Sequence, residues 1–139
     1  MKVIVHVDGG ARGNPGPAAA ASVISASDGE LLDEHAQLLG TATNNVAEYR
    51  ALLLGLERAR AIGADEVEVI GDSELIAKQL QGTYKVKNDA LRALHAQASS
   101  ALRAFDRWSV RTVPRERNAR ADALVNAALD AAGAAGNAA

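Results

Sequence analysis

Cysteine is absent from the chain, which at once excludes disulfides, thiolate metal sites and cysteine nucleophiles and suits a reducing compartment. No secretory leader is expected, because the first residues read as a strand-like run without a basic segment, apolar segment and small-residue cleavage site. No apolar run approaches the roughly 18 residues of a membrane span, so a soluble, cytoplasmic protein with no membrane partner is expected. Aromatic residues are few, with one Phe, one Trp and two Tyr. Trp108 and Tyr84 are read as packing residues before they are read as stacking platforms for a base or sugar. Excess positive charge is also lacking, and a formal net charge of −2 argues against a sequence-independent nucleic-acid coat, which would carry a clearly basic surface.

The charge that is present is unevenly placed. Residues 1 to 72 carry 5 basic and 11 acidic side chains, whereas residues 73 to 139 carry 10 basic and 6 acidic ones. Such a split within one domain is the arrangement expected where cations bind in an acidic pocket beside a basic rim that meets a polyanion; scattered surface variation is the plainer alternative. At 139 residues the chain suffices for one domain that buries about two thirds of the surface its unfolded form exposes.

The hydrophobic pattern predicts an α/β fold. Val3, Ile4, Val5 and Val7 read as a strand buried on both faces, ending in Asp8 before the glycine-rich loop "GGARGNPG". "AAAASVISA" and "LLDEHAQLL" flank the turn "SDGE", whose Asp28-Gly29 pair suits an antiparallel hairpin. From Asn45 the spacing turns helical, with Tyr49, Leu52, Leu53, Leu56 and Ala59 on one stripe and Gly63 as a stop. "VEVIG" is a short buried strand that delivers Asp72, and Ser73 caps a helix through about Leu80. A longer helix capped by Asn88 or Asp89, a last strand "WSVRTVP" and a terminal helix capped by Asn118 follow. The domain is expected to span residues 1–130, with residues 131–139 a flexible Ala/Gly tail or the start of a linker.

Four acids occupy ends of these buried elements: Asp8, Glu48, Asp72 and Asp122. Each has an ordinary use, because Asn45 with Glu48 fits a capping box, Asp72 fits a helix cap, Asp122 suits a first helical turn and Asp8 could bond its own loop. Brought together they would repel one another and raise one another's pKa unless something positive neutralised them. With no Cys or His cluster among them the fitting partner is a hard, oxygen-seeking cation, Mg²⁺ first and Mn²⁺ as substitute. Two such ions roughly 4 Å apart can activate a water and stabilise a leaving oxygen during displacement at phosphorus.

These blocks resemble the type 1 ribonucleases H. "VDGGARGNPGPAA" is similar to the first-strand motif of that family, "ATNNVAEYRALLLGL" to its helix with an Asn pair and Glu, "VIGDSELI" to the segment with its second Asp, and "RERNARADALVNAAL" to the one with its final Asn and Asp. The resemblance implies a ribonuclease H-like fold, a five-stranded mixed sheet with helices on both faces, and endonucleolytic hydrolysis of the RNA strand of RNA–DNA hybrids, leaving 5′-phosphate and 3′-hydroxyl ends. It makes Asp8, Glu48, Asp72 and Asp122 the catalytic residues that bind two metal ions, an RNA–DNA hybrid the partner, and a monomer the expected state. For the substrate it implies minor-groove contacts from Asn44 and Asn45, an RNA contact from Asn14, and a DNA phosphate contact from Thr43. Backbone of Gly10, Ala11 and Arg12 would approach 2′-hydroxyls, and Glu74 stands where the family often has a hybrid-reading Gln. Asn118 completes the final Asn position.

Two departures qualify the match. No His follows His95, whereas many members carry one in the loop before the last Asp; Arg115 or Arg117 would stand there, suited to orienting phosphate and not to shuttling a proton. "LQGTYKVKNDAL" is too short for the basic protrusion of some members, leaving Lys85, Lys87 and scattered arginines to supply an affinity expected to be modest and steeply salt-dependent. Both features resemble the compact branch of archaea and actinobacteria, in which some actinobacterial relatives carry a further phosphatase-like domain. Of the other readings, a dinucleotide-binding module is disfavoured because "GGARGNPG" is not G-x-G-x-x-G and leads into a hairpin. A hybrid-binding module of the same fold with weak catalysis is the remaining alternative. His6, His35 and His95 have little claim on the chemistry.

Overall fold

The computed structural model describes residues 1–138, with side chains described through Gly133. Five strands form one sheet: β1 (Lys2–Ala11), β2 (Gly16–Ala26), β3 (Leu31–Ala42), β4 (Glu66–Gly71) and β5 (Arg107–Thr112). Around them lie α1 (Asn44–Ala61), α2 (Glu74–Leu80), α3 (Asp89–Arg103) and α4 (Ala119–Ala138), the last preceded by a 3-10 turn at Arg115–Asn118. The sheet order is β3-β2-β1-β4-β5. β1, β2 and β3 are an antiparallel meander, and β4 pairs parallel with β1 on one side and with β5 on the other. The mixed sheet with helices on both faces is thus the architecture expected from the sequence.

Local chemistry explains most of the boundaries. In the β2–β3 turn Gly29 has φ +94°, a left-handed geometry that favours glycine, while Asp28 Oδ1 accepts from the Glu30 N–H at 3.0 Å. Ser73 and Asn88 cap α2 and α3 with side-chain oxygens that accept from Ile76 N and Leu91 N. Val3, Val5 and Val7 on one face of β1 join Tyr49, Leu52 and Leu56 of α1 and Leu94 and Leu102 of α3 in the main core. A smaller cluster on the opposite face joins Ala19 and Ala21 of β2 to Val125 and Leu129 of α4. The run Ala18–Ala21 has poor strand propensity, yet its small side chains let helices close on β2 from both sides.

Four expectations are corrected. β1 does not end at Asp8: it stays paired with β2 through Ala11↔Ala18, although its pairing with β4 stops at His6↔Ile70. Its opposite face is only half-buried at Ile4 and His6, because α4 covers β2 and the upper part of β1. Second, α1 is capped by Thr43, whose Oγ1 accepts from Val46 N at 3.2 Å, so Asn45 and Glu48 form no capping box. Third, Asn118 caps nothing; it is buried in the 3-10 turn and its Nδ2 donates to the Val7 carbonyl at 2.8 Å. Fourth, the stretch 131–139, expected as a flexible tail or the start of a linker, continues α4 through Ala138, as an alanine-rich run favours, and residue 139 lies outside the described residues.

Gly9 shows why the glycines belong to the strand. A Cβ there would lie 2.1 Å from the Ala47 carbonyl oxygen and 2.6 Å from Glu48 N, so only glycine lets α1 rest against β1. Gly10 has room, since a Cβ would meet only Val125 Cγ1 at 3.7 Å. Gly9→Ala is expected to lower the urea midpoint by the equivalent of roughly 2–3 kcal/mol, because a clash with backbone has no rotamer to relieve it. Gly10→Ala should stay near wild type in the same measurement.

Candidate active site

The parallel pairing of β1 with β4 sets Asp8 beside Asp72, and the close approach of α1 at Gly9 brings Glu48 to them. One carboxylate oxygen from each of Asp8, Glu48 and Asp72 lies within 4.8 Å of the others. Asp122, in the first turn of α4, lines the same cavity of about 480 Å³. Asn126, one turn further, donates Nδ2 to Asp122 Oδ2 at 3.4 Å.

The ordinary uses of these acids are otherwise filled or absent. Ser73 caps α2 in place of Asp72, and Thr43 caps α1 without help from Glu48. Burial, then the charges of Asp72 and Asp122, pushes the Asp8 carboxyl up to about 7. Glu48 is pushed up to about 9 by burial first and by Asp8 and Asp72 second, against a single N–H donated by Gly9 at 3.4 Å. Asp72 is raised by burial, with the Arg115 guanidinium at 3.8 Å opposing the shift and Asp122 adding to it. Its Oδ2 is buried without a hydrogen-bond partner. An all-oxygen donor set, crowded and short of positive charge, fits a hard divalent cation.

Around the acids the chain ties three segments together. Asn14 Oδ1 accepts from Asn44 N at 3.0 Å, and Asn44 Oδ1 accepts from Ala11 N at 2.9 Å. Of the residues expected to contact substrate, Gly10, Ala11, Arg12, Asn44, Asn45 and Arg115 line the carboxylate cavity. Other expected contacts lie off it. Thr43 spends its hydroxyl on the α1 cap, and Glu74 turns outward to Lys78 at 2.9 Å. Lys85 and Lys87 are exposed in the segment between α2 and α3. Asn118, buried against β1, is corrected from a substrate contact to a structural tie. Of the two arginines placed where the loop histidine is missing, only Arg115 faces the acids; Arg117 lines a separate cavity with His6. Sequence reading missed Gly9, Ser73 and Asn126, of which Asn126 was signalled by its i,i+4 spacing from Asp122.

The raised carboxyls fix the sign of a pH effect. Between their ordinary values near 4 and their folded values of about 7 and 9, Asp8 and Glu48 hold more protons in the folded state than in the unfolded one. Metal-free protein is therefore expected to lose thermal stability as pH rises through that window. Glu48→Gln should flatten the decline, and added Mg²⁺ should oppose it at the alkaline end.

Comparison with known proteins covers nearly the whole chain. A family model described as "Reverse transcriptase-like" matches residues 6–128. A ribonuclease HI of Halobacterium salinarum is 47% identical over 129 residues, covering 93% of this chain and 65% of that protein. The bifunctional protein Rv2228c of Mycobacterium tuberculosis is 47% identical over 133 residues, which are 95% of this chain but 36% of that protein. This chain thus spans about a third of its mycobacterial relatives and just under two thirds of the halobacterial one. The crystal structure of RNase H1 from Halobacterium salinarum superposes with a TM-score of 0.92 at 46% identity, covering 94% of this chain and 98% of that one. LC11-RNase H1, crystallised in complex with an RNA/DNA hybrid, gives 0.89 at 45% identity over 94% of this chain and 98% of that one.

Proposed function

The chain belongs to the type 1 ribonuclease H family, and from that premise we propose that it hydrolyses the RNA strand of RNA–DNA hybrids with divalent cations held by Asp8, Glu48, Asp72 and Asp122. The observation that carries the reading is the meeting of three carboxylates within 4.8 Å, Asp8 buried and Glu48 and Asp72 half-buried, beside the Asn44–Asn45 pair.

Two Mg²⁺ ions per site, or Mn²⁺ in their place, would supply an activated water and charge stabilisation for the leaving oxygen, giving 5′-phosphate and 3′-hydroxyl ends. The chain's own part is to hold the ligands and place the hybrid. Asp8 lies on β1 and Asp72 directly follows β4, so the parallel pairing of those strands brings the two acids side by side. Glu48, half-buried on α1, and Asp122, on the first turn of α4, line the same cavity. Asn44 keeps its Oδ1 on Ala11 and leaves its Nδ2 for an acceptor on a base edge in the minor groove. Gly10, which carries no side chain into the cavity, lets a sugar and its 2′-hydroxyl come close to the backbone. Arg115, at the mouth of the cavity, orients a phosphate.

A hybrid with end-labelled RNA tests this directly. Pure protein should shorten the RNA with Mg²⁺ or Mn²⁺ and not with a chelator, and the fragments should carry 5′-phosphates. Asp8→Asn should lower the rate by more than roughly 100-fold, since even residues that only orient a metal ligand are worth 10–100-fold. It should still bind the hybrid. Intact RNA with either ion, together with hybrid binding by both proteins, would replace the enzyme with a binding module of the same fold.

A further inference from the structure

Arg12 joins two parts of the site that are far apart in sequence. It leaves the β1–β2 turn and lines the carboxylate cavity, yet its guanidinium is held by α4. Nη2 lies 2.6 Å from Asp130 Oδ1 and donates to the Asn126 carbonyl at 3.4 Å. Both side chains of the ion pair are well exposed, 47% for Arg12 and 68% for Asp130. Such a pair adds little to stability and is easily exchanged for another partner. A guanidinium is also the group best shaped to take a phosphate through two parallel N–H donors. Arg115, the other cation lining the cavity, is drawn toward Asp72 at 3.8 Å. In the free protein, then, both cations at this mouth are engaged by the chain's own acids.

We propose that Asp130 is an internal competitor for Arg12: its carboxylate occupies the guanidinium in the free protein and yields it to a backbone phosphate of the bound hybrid. The exchange takes place one to two helical turns from Asp122, on the face of α4 where Asn126 receives Arg12 through its main chain and reaches Asp122 through its side chain. Asp130 therefore weakens hybrid binding, and does so only through Arg12. The arrangement rests on the hybrid-cleaving reading of the site and adds to it a residue, outside the cavity, that sets substrate affinity.

A double-mutant cycle on hybrid affinity tests it, in an Asp8→Asn background with Mg²⁺ present and at several salt concentrations. Asp130→Asn should tighten the Kd at low salt by about 2- to 5-fold, the worth of an exposed ion pair. Arg12→Ala should weaken it and reduce the slope of log affinity against log salt by about one phosphate contact. Asp130→Asn added to Arg12→Ala should change the Kd by less than about 1.5-fold. Equal tightening with and without Arg12 would mean a general loss of negative charge and would overturn the proposal, as would no tightening at all. Hybrid binding without coupling sinks the competitor alone, whereas failure of the Asp8→Asn protein to bind hybrid removes the functional reading and the competitor with it.

Discussion

Carboxylates held together away from water repel one another, and the molecule is built so that they cannot relax apart. Asp8 and Asp72 each lie two residues beyond the parallel ladder that runs from Lys2↔Glu66 to His6↔Ile70, which sets where both emerge. Glu48 is pressed in by a helix that touches β1 where Gly9 has no side chain. The crowding has a thermodynamic counterpart: mutual repulsion of these carboxylates costs stability that a bound cation would offset.

The charge asymmetry along the chain takes on a different meaning in three dimensions. The acidic first half and the basic second half do not form separate pocket and rim. They are laced together by Arg111 with Glu68 at 2.9 Å, Arg120 with Glu34 at 2.7 Å and Arg115 with Asp72 at 3.8 Å. Of the ten basic residues of the second half, Arg111, Arg115 and Arg120 pair with acids of the first, and Lys78 and Arg92 pair with Glu74 and Asp89 of their own helices.

What the sequence disclosed and what it hid divide along range. The β2–β3 turn, the Ser73 cap, the apolar stripe of α1 and the convergence of Asp8 with Asp72 follow from local spacing and from the pairing rules of α/β sheets, and all were legible. The persistence of β1 beyond Asp8 was not, because it depends on α1 arriving against Gly9 from nearly forty residues away. The choice of Thr43 over Asn45 as a cap shifts the helix by so little that pattern alone does not resolve it. Asn118 has the composition of a cap and the burial of a core residue, and only the tertiary structure decides between them.

The bond from Asn118 Nδ2 to the Val7 carbonyl spans 111 residues of chain. Loop-closure entropy grows only with the logarithm of length, so each doubling of the enclosed chain adds about 0.6 kcal/mol and no more. A fastening across nearly the whole domain is therefore scarcely dearer than one across a quarter of it. It secures the entry of the last helix to the central strand one residue before Asp8. The last of the four site acids along the chain is thereby moored close to the first, and the site is complete only when the two ends of the domain have met.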